Sequence, residues 1–204
     1  MVSRQMEARG IRDPRVLEAM RNVPREQFIP EEHRHLGCED DPVSIGFGQT
    51  ISQPYMTALM AECLCLQGTE AVLEVGAGCG YHAAVLGALA ARVIAVEIIP
   101  ELAEMARRTL QETGLDRNIL VVCGDGSRGW PDEAPYDAIS VAAAAPDAPA
   151  EMVAQLKDPG SLVIPVGSYW EQELRVITKS QGVTRSRLAT YCRFVPLRGP
   201  GGWE

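Results

Sequence analysis

An apolar run at 72–75, VLEV, breaks into the alternating glycines Gly76, Gly78 and Gly80, and a helical pattern begins at Tyr81. A buried strand that turns through glycines into a helix is half of a βαβ unit, and the chain beyond it continues the alternation. The pattern predicts strands at Ala71–Val75, Val93–Glu97, Ile119–Cys123, Ala138–Ala142 and Leu162–Val166. Between them it predicts helices at Tyr81–Ala91, Pro100–Thr113 and Asp147–Leu156. In the second helix Pro100 suits the first turn, Leu102, Met105, Ala106 and Leu110 share a face, and Gly114 ends it. Strands this short and this continuously apolar belong to a parallel sheet covered on both faces. The expected fold is therefore α/β, a doubly wound, mostly parallel sheet.

The flanks read differently. Residues 1–35 carry short helices, one opened by Asp13 and Pro14 with Val16, Leu17 and Met20 as its apolar stripe. Residues 36–54, LGCEDDPVSIGFGQTISQP, have little periodicity and read as an ordered loop or lid. Helical spacing returns over Tyr55–Leu66. At the far end Leu174–Thr178 and Leu188–Val195 read as a strand pair joined by a polar turn at Gln181 and Gly182. A chain of 204 residues fits one domain over 1–204, with N-terminal helices and loop (1–66), a βα core (67–166) and C-terminal strands (167–204).

Charge and cysteines narrow the partners. A net charge of −8 argues against nucleic-acid and anionic-membrane binding, which need a basic face. The apolar stretch Ala83–Ala91 stops at Arg92, short of the ~20 residues of a membrane span, and the charged N-terminus has no leader-like core. Cysteines at 38, 63, 65, 79, 123 and 192 never form CxxC, which fits reduced thiols in a cytoplasmic protein. His33, His35 and Cys38 lack a fourth ligand, so no metal is expected.

The chemistry gathers at strand ends, where open α/β sheets bind ligands. The glycines of GAGCG allow backbone to approach a ligand closely, but Tyr81 stands where a dinucleotide fingerprint needs glycine. The loop thus suits an adenosyl amino acid better than a pyrophosphate. Glu97, at the next strand end, has the spacing of a ribose-binding acid; the plainer alternative is a solvated acid at a helix N-terminus. In GDGSRGW, 124–130, Asp125 fits an acceptor for an adenine amino group and Gly126 a bed for the ring, or both are an Asp-Gly turn. The row Ala142–Ala145 reads as packing beneath these loops, and Glu101, Glu104, Arg107 and Arg108 as a solvated helix face.

With these motifs the chain resembles the protein-L-isoaspartate O-methyltransferase family. The resemblance runs from about Val23 to Trp203, through VPREQFIP (23–30), IGFGQTISQPYM (45–56), VLEVGAGCGY (72–81), GDGSRGWPDEAPYDAI (124–139), IPVG (164–167) and FVPLRG (194–199). It implies a class I, Rossmann-like methyltransferase fold and S-adenosyl-L-methionine as methyl donor, with S-adenosyl-L-homocysteine as product. It implies methyl transfer to the α-carboxyl of L-isoaspartyl residues in damaged proteins and peptides, whose ester collapses to a succinimide and reopens partly to aspartyl. It makes Ser52 the active-site serine and sets Gln49, Thr50, Ile51 and Ser52, Gly76, Ala77, Gly78 and Gly80, Glu97 and Ile98, and Asp125 and Gly126 around the cofactor. Cys38 and Ser44 stand where the family commonly has Tyr and Pro, Ile98 where it often has Arg, and Pro159 where it has Gly; these touch substrate preference and loop rigidity.

A carboxylate with a reference pKa near 4 is ionised at pH 7 and needs no general base, and a sulfonium leaves as a neutral thioether. The protein's task is alignment, worth up to roughly 7–11 kcal/mol. A hydroxyl such as Ser52 can bond a carboxylate without neutralising it, and no GxSxG elbow marks it as a covalent nucleophile. Its bland alternative is a helix cap before Tyr55. The substrates expected are isoaspartyl proteins and peptides, met by a monomer without nucleic acid or membrane. Two rivals share the cofactor: a methyltransferase of the same fold with another substrate, and a non-catalytic binding module. Turnover separates them.

Overall fold

Asp13 and Pro14 open the first α-helix, α1 (Pro14–Asn22), with the Asp13 carboxylate accepting from the Arg15 N–H and Val16, Leu17 and Met20 buried beneath. A cap of this kind contributes about 1 kcal/mol. Shorter helical turns flank it in the computed structural model, which describes residues 1–203.

Residues 36–54 are not a loop throughout. They contain a hairpin, β1 (Val43–Gly46) and β2 (Gln49–Ile51), paired antiparallel. Val43 and Ile45 are buried and alternate with exposed Ser44 and Gly46, a period of two too short to register against the surrounding glycines. Gly46, Phe47 and Gly48 all take positive φ to turn the hairpin.

Beyond α2 (Pro54–Leu64) the alternation is as expected: β3 (Ala71–Val75), α3 (Tyr81–Gly87), β4 (Arg92–Glu97), α4 (Pro100–Thr113), β5 (Ile119–Cys123) and β6 (Tyr136–Val141). Gly114 ends α4 with φ 69°. Two helices are shorter than their patterns. α3 stops at Gly87, where a Cβ would lie 2.8 Å from the Ile119 side chain, and the chain turns at once into β4. Expected over 147–156, α5 covers only Ala150–Ala154, between Pro149 and a long β7 (Leu156–Gly167) whose first residue already pairs with Tyr136. β8 (Gln172–Ser180) and β9 (Val183–Cys192) follow, longer than their apolar centres. Gln181 (φ 52°) and Gly182 (φ 72°) join them as a mirror-image turn that matches strand twist, and both N–H groups donate to the Asp158 carboxylate.

The seven-stranded sheet runs β5-β4-β3-β6-β7-β8-β9, parallel through β7 and antiparallel beyond. One core joins Val72 and Ala138 to α1 through α4; the other joins Leu73, Val75, Ile94 and Ile139 to Met152 and Trp130. Strand order reverses between β3 and β6, so their carboxyl ends open a crevice. Among the described residues no helix is long and apolar enough to cross a membrane.

Candidate active site

The crevice continues into a cavity walled by the glycine loop, the end of β4, the hairpin and a C-terminal loop. The Gly76 and Ala77 N–H groups both donate to the Val96 carbonyl, at 2.9 and 3.1 Å, which pins the loop to β4. Gly78 has φ 55°, and a Cβ there would press on Ile45 of the hairpin at 3.3 Å. Gly80 serves elsewhere: its Cβ would lie 3.1 Å from Ala106, so its bareness lets α3 pack on α4.

Glu97 is buried, and its carboxylate accepts from the Gly78 N–H at 2.7 Å and the Ile99 N–H at 3.0 Å. It is therefore not a solvated acid; it ties the glycine loop to the start of α4. Glu74, on β3, lines the same cavity fully buried, and neither of its oxygens has a partner. Burial, with Glu97 adding to it, pushes the Glu74 carboxyl well above the usual range. His82 Nδ1 stands 4.0 Å from it, beyond hydrogen bonding, and burial lowers that imidazole to about 4. Thr57 and Ser140 add two more unpartnered buried hydroxyls, and Ser140 is level with Glu74 on the neighbouring strand. Glu74 and His82 were not among the residues expected here; an acid inside an otherwise apolar strand was the available sign.

Of the residues that sequence placed around a cofactor, Gln49, Thr50, Ile51, Ser52, Gly76, Ala77, Gly78, Glu97, Ile98 and Gly126 line this cavity. Gly80 and Asp125 do not. Asp125 is exposed, accepts from the Ser127 N–H at 2.8 Å, and lies so near Gly199 that a Cβ there would meet its oxygens at 2.6 and 2.7 Å. The local Asx turn aims the carboxylate at the C-terminal loop, while Gly126 and Ser127 face inward. That loop, Val195–Arg198, lies in the FVPLRG stretch that carried the resemblance, but sequence did not place it at the cavity. It is held through Ala144, whose N–H donates to Val195 at 2.8 Å and whose carbonyl accepts from Leu197 at 2.7 Å. The alanine row is thus partly packing and partly a docking strip for the chain end.

Ser52 is not a helix cap. Gln53 precedes α2, and the Tyr55 N–H reaches the Asp40 carboxylate instead. Its position is fixed by Arg25, whose buried guanidinium donates to the carbonyls of Gly37, Asp41 and Ser52 at 3.0, 3.0 and 3.1 Å. Ser52 belongs to two spaces at once: the cavity, and a wider groove of about 700 Å³ bordered by α2, β9 and the chain after β7. The two meet at Thr50, Ser52, Ala142, Val195 and Pro196, none of them ionisable.

These groups fit an adenosyl amino acid. Gly76 and Gly78 let backbone come close, Glu97 is an acid at the β4 end, and Glu74 offers an unpartnered carboxyl whose ionised form a cationic group would favour.

Comparison with known proteins agrees. Residues 1–201 match the family model described as Protein-L-isoaspartate(D-aspartate) O-methyltransferase. The chain is 54% identical over 206 residues to Protein-L-isoaspartate O-methyltransferase 2 of Marinobacter nauticus, covering 100% of this chain and 93% of that one. It is 49% identical to the Hyperthermus butylicus protein-L-isoaspartate O-methyltransferase, covering 100% of this chain and 89% of that one. Among solved structures, one protein-L-isoaspartate O-methyltransferase superposes with a TM-score of 0.84 at 28% identity, over 98% of this chain and 67% of that one. A Plasmodium falciparum structure assigned to the same enzymes, in complex with S-adenosyl-L-homocysteine, gives 0.81 at 27% identity over 97% and 96%.

Proposed function

From the premise that the chain belongs to the protein-L-isoaspartate O-methyltransferase family, we propose that Ser52 is where its cofactor cavity and its substrate groove exchange a methyl group. The protein is an S-adenosyl-L-methionine-dependent enzyme that methylates L-isoaspartyl residues of proteins and peptides. The observation that carries the proposal is the double exposure of Ser52, to the cavity and to the groove.

In this reading Gly76–Gly78, Glu97, Ile98 and Gly126 hold the cofactor, Gln49–Ser52 cover it, and Gly80 and Asp125 shape these loops from outside. Glu97 accepts from ribose hydroxyls with the lone pairs its backbone bonds leave free, and Glu74 faces the cationic amino-acid end. When bound, the cofactor supplies a methyl group on a sulfonium, whose departure leaves a neutral thioether. The isoaspartyl α-carboxylate enters from the groove already ionised, so the absence of ionisable side chains at the junction costs nothing. The Ser52 hydroxyl donates to one carboxylate oxygen and turns the other toward the methyl group. Arg25, through the Ser52 carbonyl, keeps that hydroxyl in place.

We also take the enzyme to work as a cytoplasmic monomer without nucleic-acid or membrane partners. One chain supplies both cavity and groove, all six cysteines are free, and the net charge is −8. The test is methanol release from an isoaspartyl peptide and its aspartyl twin. Methylation confined to the isoaspartyl peptide is expected; equal rates on both, or none on either with folded protein, contradict the reading.

A further inference from the structure

The groove beside Ser52 has a composition unlike the rest of the surface. The chain has three Trp, five Tyr and three Phe, and this one groove takes Tyr55, Tyr169, Trp170, Tyr191 and Phe194. Two of them stand largely in water, Trp170 at 75% exposure and Tyr191 at 72%, and Tyr169 is about half exposed beside Trp203. Aromatic rings left open around one concavity provide large apolar area at little entropic cost, the make-up of a binding surface and not of a solvated one.

Its charge is as distinctive. On a chain of net charge −8, the groove lining contains Arg9 and Arg193 and no Asp or Glu. Arg9 is already engaged, paired with Asp40 at 2.6 Å and lying 3.5 Å over the Tyr55 ring. Arg193 makes no ion pair among the described residues and lies 5.4 Å over the Trp170 ring. Glu171 and Glu173, the acids at this end of β8, are not part of the lining, and Glu173 pairs with Arg175. The groove therefore presents one unneutralised guanidinium, held by an exposed indole, opening onto the junction at Ser52.

Resting on the reading that methyl transfer occurs at that junction, we propose that the groove seats the polypeptide flanking the isoaspartyl residue and that Arg193, backed by Trp170, selects segments with an acidic side chain beside it. Charge complementarity and continuity with the reacting centre commit the groove to this occupant. A lysine in the flanking position meets Arg193 with like charge, and a carboxylate pairs with it.

The experiment uses three short isoaspartyl peptides identical except for one residue beside the isoaspartyl position, which is Glu, Gln or Lys. Binding is read by tryptophan fluorescence in the presence of S-adenosyl-L-homocysteine, with kcat/KM measured in parallel. The Glu peptide should bind about fivefold to tenfold more tightly than the Lys peptide, with the gap narrowing as salt is added. Arg193→Gln should shrink the gap below about twofold, and Arg193→Lys should restore most of it. Equal binding of the Glu and Lys peptides, or a gap that survives Arg193→Gln, overturns the proposal. Discrimination in binding without turnover would support the groove and contradict instead the activity placed at Ser52.

Discussion

β3 and β4 are neighbours in the sheet, and each delivers one carboxylate to the same cavity, but the two ends are built in opposite ways. Glu97 at the β4 end is closed by its own backbone, accepting from Gly78 and Ile99. Glu74 on β3 is buried as deeply and accepts from nothing. One strand end is finished before a ligand arrives; the other keeps its hydrogen-bonding capacity in reserve. Such a reserve is costly in the empty protein, because an unpartnered buried polar group forfeits its hydration without a replacement. On the proposed reading, the difference separates a carboxylate that builds the site from one whose partner is the ligand.

Removing the finished end should have the largest effect. Glu97→Ala deletes two charge-assisted bonds and leaves two N–H groups open, at roughly 1.5–3 kcal/mol per bond. Cofactor affinity by calorimetry should fall more than about tenfold, with a lower Tm; unchanged affinity would remove Glu97 from the cofactor's contacts.

Glu74→Gln sharpens the comparison by changing charge without shape. Cofactor affinity should fall less, by about fivefold to tenfold, while the empty protein gains stability. The folded-state pKa of Glu74 is raised, so the unfolded chain loses this proton near pH 4.3 while the folded one still holds it. Stability is then lost as pH rises from there toward the folded value. The Tm advantage of Glu74→Gln should therefore be small at pH 4.5 and several degrees at pH 8, at about 2–4 °C per kcal/mol. An advantage independent of pH would show that Glu74 does not change charge between the two states.

His82 gives the mirror effect of pH on stability. Its folded pKa is lowered to about 4, so stability is lost as pH falls from about 6.5 toward that value. His82→Asn should flatten this acid limb in thermal melts across pH 4–7; an unaltered limb would assign acid sensitivity to other groups. Smallest of all, Glu101→Ala, an exposed acid in the first turn of α4, should leave cofactor affinity within about twofold.

The same contrast explains what sequence revealed. Glu97 was legible because it ends a strand at a familiar distance beyond a glycine loop, a relation within one stretch of chain. The parallel strands and α4 were legible through local periodicity. Glu74 and His82 were hidden, since an acid within VLEV and a histidine within an alanine-rich helix become a pair only when the sheet and α3 pack. Val195–Arg198 has no period and joins the site through Ala144, about fifty residues earlier. Asp125 shows the converse: its motif was read, but its carboxylate accepts from Ser127 two residues on and lies beside Gly199, outside the cavity lining.

The central claim, that Ser52 aligns a carboxylate entering from the groove with a methyl group held in the cavity, is tested most directly by Ser52→Ala with two readouts on one sample. With folding verified by circular dichroism, calorimetry should show cofactor affinity within about twofold of the parent, while the single-turnover rate on an isoaspartyl peptide falls but stays measurable. Loss of cofactor binding, or a methylated Ser52 trapped in the parent enzyme during turnover, would contradict it.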